Sequence, residues 1–131
     1  MAKYVYPAIF ADEGNGYSVA FPDIKGCYTC GDSMAEAIEM AEDAMCLMLY
    51  HMEENDEVIL PPSDCRSIKT DEKSIVSLVA CDTVEYRKFY DKKSIKKTLT
   101  IPNWLNTLAE RKNVNFSATL QEALIQKLEL A

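Results

Sequence analysis

Lys96-Lys97-Thr98-Leu99-Thr100-Ile101, closed by Pro102, is the stretch on which the architecture turns. Polar and apolar residues alternate along it with the period of a strand, which puts Leu99 and Ile101 on one face and Lys96, Thr98 and Thr100 on the other. Pro102 stops the run, because proline has no backbone donor. Residues 103–112 read as a helix with Leu105, Leu108 and Ala109 on one side. Asn113-Val114-Asn115-Phe116 is a connector. Ser117 is placed to cap a second helix in which Leu120, Ala123, Leu124 and Leu128 are spaced for a buried face.

One strand and two short helices have no sheet of their own to join, so the strand's backbone groups lack partners. So short a segment also buries too little surface to be stable alone. A two-fold dimer removes both deficits: two strands pair antiparallel, and Leu99, Ile101, Leu105, Leu108, Leu120 and Leu124 from both chains form one core. The outward face of the paired strands then carries Lys96, Thr98 and Thr100. A two-stranded ribbon fits the DNA major groove, where lysine donates to guanine and threonine reads either a polar edge or the thymine methyl. Asn115 and Ser117, at the start of the second helix, are candidates for phosphate contacts, and Lys92, Lys93 and Lys97 add positive charge. The plainer alternative is a dimerisation motif whose polar strand simply faces water.

Ahead of this tail the pattern changes. Residues 3–10 read as a strand, Asn15-Gly16 marks a hairpin, and residues 17–21 and 27–30 complete an antiparallel meander. Ser33 with Glu36 forms a capping box. It opens a helix to about Glu54 whose apolar stripe is Met34, Ile38, Ala41, Met45, Met48 and Met52, with Glu36, Glu39, Glu42 and Asp43 towards water. Residues 55–73 form a long polar loop, residues 74–80 a fourth strand, and Asp82 with Glu85 starts a short helix to about Asp91.

Composition agrees with a small globular chain: 131 residues, 48% apolar and 27% charged. No apolar run approaches the ~18 residues of a membrane span, and the N-terminus carries no evident signal peptide. Five cysteines, an odd number, point to free thiols in a reducing cytoplasm. The net charge of −7 hides a division: residues 1–91 hold 7 basic and 18 acidic side chains, whereas residues 92–131 hold 7 basic and 3 acidic. An acidic body suits a basic protein partner and a basic tail suits phosphates.

Cys27 and Cys30 have Cys-x-x-Cys spacing, but no second pair lies at a zinc-finger distance, and residues three apart on a strand point to opposite faces. His51, the single histidine, reads as a surface or packing residue. No metal, cofactor or catalytic residue is expected.

The tail, Lys97-Thr98-Leu99-Thr100-Ile101-Pro102 through Trp104-Leu105-Asn106-Thr107-Leu108-Ala109 to Phe116-Ser117 and Leu128, resembles a ribbon-helix-helix domain. The body resembles the HicB antitoxin family in Tyr17-Ser18-Val19-Ala20-Phe21-Pro22-Asp23-Ile24-Lys25-Gly26-Cys27, in Thr29 with Gly31-Asp32-Ser33, and in Ala35-Glu36-Ala37 leading into the long helix. The resemblance implies an α+β chain. Residues 1–91 would be a βββαβ, partial RNase H-like, toxin-binding domain. Residues 92–131 would be a ribbon-helix-helix (βαα) DNA-binding and dimerisation domain. It implies a HicA-type toxin as partner, a small basic mRNA-cleaving ribonuclease with a catalytic histidine, and repression of the pair's own operator by a homodimer, with a tetramer left open. No motif marks the toxin-facing surface; Phe21, Pro22 and Asp23, where a strand ends beside a turn, are the candidates. Two alternatives remain: an orphan HicB-like repressor with no toxin, and an RNase H-like metal-dependent nuclease drawing on Asp12, Asp23, Glu39 and Asp82. An adjacent gene for a small basic protein containing histidine would separate these readings.

Overall fold

The computed structural model describes residues 2–130. The chain divides into two compact units, one ending at Lys93 and the other beginning at Ser94. The first is built on β1 (Lys3–Asp12), β2 (Tyr17–Ala20), β3 (Tyr28–Gly31), the long helix α1 (Met34–Glu54), β4 (Ser74–Asp82) and the short helix α2 (Thr83–Tyr90). The four strands form an antiparallel sheet in the order β3-β2-β1-β4. Both long strands lie side by side, with Tyr6 opposite Val79 and Pro7 opposite Leu78.

Alternation along β1 decides which face is the core. Tyr6, Ala8 and Phe10 are buried, as are Val19 of β2 and Val79 and Cys81 of β4. These side chains meet Ala37, Ala41, Met45 and Leu49 of α1 and, from the turn after β2, Phe21, Ile24 and Cys27 in one cluster. The buried stripe of α1 therefore runs through Ala37 and Leu49 at intervals of four. Met34, Met48 and Met52 pack at its margin, but Ile38, expected on the stripe, is 42% exposed. Small residues explain the offset. A Cβ on Gly31 would lie 2.4 Å from the Ala37 backbone nitrogen, so the first turn of α1 rests directly on the end of β3. Ser33 caps that turn, accepting from the Glu36 N–H at 3.2 Å.

The opposite end of α1 is tied by a buried carboxylate. Glu53 accepts from the Tyr4 hydroxyl (2.8 Å), from the Thr83 hydroxyl (2.9 Å) and from Arg87 Nη2 (3.1 Å), and Arg87 also pairs with Glu54. Asp82 caps α2, accepting from the Val84 and Glu85 N–H groups at 3.0 and 3.3 Å. Burial would raise the Glu53 pKa, but the hydrogen bonds outweigh it and hold the carboxyl below its usual range.

The loop between α1 and β4 includes one 3₁₀ turn, Cys65–Ser67. It is strapped to the sheet end by the Tyr6 hydroxyl, which donates to the Leu60 carbonyl, and by Asp23, which accepts from the Ser63 N–H at 2.9 Å.

The expectation of free thiols holds for three of the five cysteines and is corrected for two. Cys46 of α1 and Cys81 of β4 are disulfide-paired, with Cα atoms 5.6 Å apart; Cys27, Cys30 and Cys65 are free. The pairing partners come from different elements, 35 residues apart, so no spacing in the sequence announces them.

The second unit contains α3 (Asn103–Arg111) and α4 (Phe116–Lys127). Residues 96–101, expected as a strand, belong to no regular element in the single chain. A strand needs a neighbour to take its backbone hydrogen bonds, and the unit offers none. The cap of α4 also moves two residues upstream: Asn115, not Ser117, accepts from the Ala118 N–H at 3.0 Å.

Candidate interaction surfaces

No side chain of the second unit's described residues is buried. The six expected dimer-core residues, Leu99, Ile101, Leu105, Leu108, Leu120 and Leu124, are between 36% and 61% exposed. Trp104, Phe116, Ile125 and Leu128 are exposed as well. Leu99 and Ile101 line a cleft of about 510 Å³ with Phe116, Leu120 and Ala123 of α4. Lys96, Thr98 and Thr100 are exposed and do not line it. The segment before α3 is thus two-sided, with Lys97, Leu99 and Ile101 towards the helix and Lys96, Thr98 and Thr100 away.

Asn115 spends its side-chain oxygen on the helix cap, and Ser117 sits in the first turn of α4. What α4 presents at this end is free backbone N–H groups and the positive end of its dipole.

Residues 21–23 do not act together. Phe21 is in the core, Pro22 is exposed, and Asp23 is engaged with Ser63. The Phe21 ring is therefore withdrawn from any partner, a point the strand-end position hides.

The carboxylates of the nuclease alternative are spread over separate duties. Asp12 accepts from the Gly14 N–H in the β1–β2 turn, Asp23 holds the loop, Glu39 lies on the exposed side of α1, and Asp82 caps α2. Among the described residues no group of three or more His, Cys, Asp or Glu side chains is placed to hold a metal. Cys27 is buried and Cys30 exposed; burial pushes the Cys27 thiol up to about 11. His51 is exposed, its ring stacked on Tyr50 at 5.7 Å. Among the described residues no helix is long and apolar enough to cross a membrane.

Sequence reasoning missed the aromatic group where α1 meets α2. Tyr50 meets Tyr86 edge-on at 5.5 Å, Tyr86 lies 4.5 Å from Tyr90, and Tyr90 lies 4.8 Å from Phe89. Arg87 sits over the Tyr50 ring at 4.6 Å. Burial, then the Asp43 carboxylate, push the Tyr86 phenol up. The signal available was the density of aromatics in Tyr86-Arg87-Lys88-Phe89-Tyr90, but only the fold brings Tyr50 to them.

Comparison with known proteins fits this arrangement. A stretch of 50 residues is 44% identical to Antitoxin HicB 1 of Photorhabdus laumondii, covering 37% of this chain and 32% of that one. The chain spans less than half the length of the curated relatives it matches. Among solved structures, a chain of a toxin-antitoxin complex from Streptococcus pneumoniae is 32% identical, with a TM-score of 0.61 over 95% of this chain and 99% of the other. A chain of a HicA3 and HicB3 toxin-antitoxin complex is 26% identical, with a TM-score of 0.52 over 60% of this chain and 99% of that one. Residues 6–124 match the family described as HicB-like antitoxin of bacterial toxin-antitoxin system. The chain therefore belongs to the HicB-like antitoxin family, a family of antitoxins and not of enzymes.

Proposed function

We propose that this chain neutralises a HicA-type ribonuclease through its acidic N-terminal unit and represses its own operon through a dimeric ribbon made by its C-terminal unit. The observation that carries the second half is the unburied tail. Eleven large apolar residues from Leu99 to Leu128 are exposed, an amount of apolar surface that marks an interaction face rather than a solvated one. A second copy supplies a pairing strand and two more helices. Lys96, Thr98 and Thr100 then form the reading face of the ribbon in the major groove, while Asn115 and Ser117 hold the start of α4 against a phosphate through its backbone N–H groups.

The first half is supported by charge and kinship. The body's 7 basic and 18 acidic side chains favour rapid, oriented encounter with a basic partner, and the structural relative named for HicA3 and HicB3 is part of a toxin-antitoxin complex.

Three measurements test the proposal together. Light scattering at micromolar concentration should give a dimer or a multiple of it. A duplex from the chain's own promoter should bind with a steep salt dependence. RNA cleavage by the toxin encoded beside the chain should stop at stoichiometric antitoxin. A monomer that leaves the promoter duplex free overturns the repressor half. Undiminished cleavage at excess chain overturns the antitoxin half.

A further inference from the structure

The N-terminal unit carries more apolar surface than its core uses. On α1, the side turned away from the sheet reads Glu36, Met40, Asp43, Leu47 and Glu54, at intervals of four, three, four and seven, so acids and apolar side chains share one line along the helix. Met40 is 40% exposed and Leu47 43%. The line runs into the aromatic cluster, because Tyr50 of α1 touches Tyr86 of α2. Phe89 and Tyr90, at the far end of α2, are 66% and 59% exposed.

The α1 side of this ridge is negative, and among the described residues the one cation against an anchor ring is Lys92, over Phe89 at 5.7 Å at the far end of α2. Arg87 is compensated by Glu53 and Glu54, and Lys88 by Glu85. None of the ion pairs among the described residues engages Glu36, Glu39 or Asp43. Clustered aromatic rings inside a charged rim make the anatomy of a protein–protein hot spot, and the negative rim repels a phosphate backbone. The sheet face opposite α1 also exposes apolar residues, among them Leu78 and Val5. It is uncharged along that stretch and has no means of selecting a basic partner.

We propose that the α1–α2 ridge is the docking surface for the basic toxin, with Leu47, Phe89 and Tyr90 as anchors and Glu36, Glu39 and Asp43 as the steering rim. This rests on the antitoxin function inferred above. Tyr90 and Phe89 are held by one another and by Tyr86, so little side-chain freedom is lost when a partner covers them. The acids lie at the edge of the patch, where charge governs the rate of encounter more than the tightness of the complex.

The test uses the full chain and the HicA-type protein encoded beside it, its catalytic histidine replaced so that it can be handled, with binding followed by calorimetry and stopped flow. Leu47→Ser, Tyr90→Ala and Phe89→Ala should each weaken binding by about tenfold or more. Asp43→Lys should slow association and flatten its salt dependence while changing dissociation little. Leu78→Ser, on the opposite face, should stay within about twofold of the parent. Unchanged melting temperature and unchanged promoter binding establish that each variant is folded, and three anchors on two helices keep the test decisive if one variant is lost. If the parent binds the toxin and the anchor variants bind equally well, or if Leu78→Ser is the damaging change, the ridge is not the dock although the antitoxin function stands. If the parent does not bind the toxin, or no such protein is encoded beside it, function and dock fall together.

Discussion

The two units of this chain solve the same physical problem in opposite ways. The first encloses thirteen apolar residues between one helix and one sheet face and needs nothing from outside to do so. The second has helices of comparable regularity and is richer in leucine, yet none of its described residues is buried. The difference lies in the number of layers. A sheet with a helix across it is two layers and closes a core. Two short helices and an unpaired segment are less than that, and would become two layers in the proposed dimer. In the dimer proposed above, one unit is stabilised by the chain's own sequence and the other by its concentration.

That contrast is broken most severely in the body. Phe10 is 1% exposed at the centre of the core, and Phe10→Ala should cost about 3–5 kcal/mol of unfolding free energy. Phe116→Ala, at a ring 44% exposed in one chain, should leave the body's denaturant midpoint unchanged and show itself as a higher dimer dissociation constant. Equal effects of the two changes on the unfolding of the body would mean that the units are not independent.

Next in size is the cross-link. Joining Cys46 to Cys81 closes a loop of 35 residues, which in the chain-entropy account restricts the unfolded state by about 3–4 kcal/mol. Reduction, or Cys46→Ser, should lower the melting temperature of the body and leave dimerisation of the tail untouched. Intact mass before and after reduction, with thermal melts under the same conditions, measures both. A melt indifferent to reductant would show that the pair adds nothing to stability.

The sequence made some of this legible and concealed the rest for physical reasons. The meander, the long helix and its Ser33 cap follow from alternation and local hydrogen bonding, which act over a few residues. The position of the α1 stripe was read one residue to the side at Ile38, because the close approach at Gly31 and Ala37 is set by tertiary packing. The strand expected at residues 96–101 has the right two-sidedness but not the ladder, since its own unit holds, among the described residues, no neighbouring strand to pair with. The burial of Phe21, the Cys46–Cys81 pair and the meeting of Tyr50 with Tyr86 depend on contacts distant in sequence, and no periodicity encodes them.

Acid sharpens the comparison further. The Glu53 carboxylate is held low by Tyr4, Thr83 and Arg87 against the cost of its burial. A depressed folded-state pKa contributes stability that is complete above the unfolded value, about 4.3 for glutamate, and that is lost as pH falls through the folded value. The body should therefore weaken below about pH 4, in urea midpoints taken down to pH 3. Glu53→Gln should cost about 1–3 kcal/mol at neutral pH and remove part of that acid dependence. Among the described residues of the tail every carboxylate side chain is exposed, so the tail should not share the profile. If Glu53→Gln keeps the parent's acid slope, the carboxylate is not its source.

The smallest expected effect falls on the exposed face of the tail. Thr98 and Thr100 are exposed and lie outside the cleft that takes Leu99 and Ile101. Replacing each with alanine should change neither the body's melt nor the mass of the assembly, because neither side chain touches a core. If they read base edges, each replacement removes one direct contact of the kind that discriminates bases by roughly 1–3 kcal/mol for a good bidentate pair. A single hydroxyl lies at the bottom of that range, about 1 kcal/mol or five- to tenfold in affinity for the promoter duplex. Lys96→Ala should differ in kind: if it meets a phosphate, the loss is uniform across sequences and the salt slope falls by about one. Competition between the promoter duplex and a scrambled one separates the two. Threonine variants that lose affinity for both duplexes equally would reduce the ribbon to an electrostatic clamp. Threonine variants that dissociate the dimer would place these residues in a core, reversing the two faces of the segment.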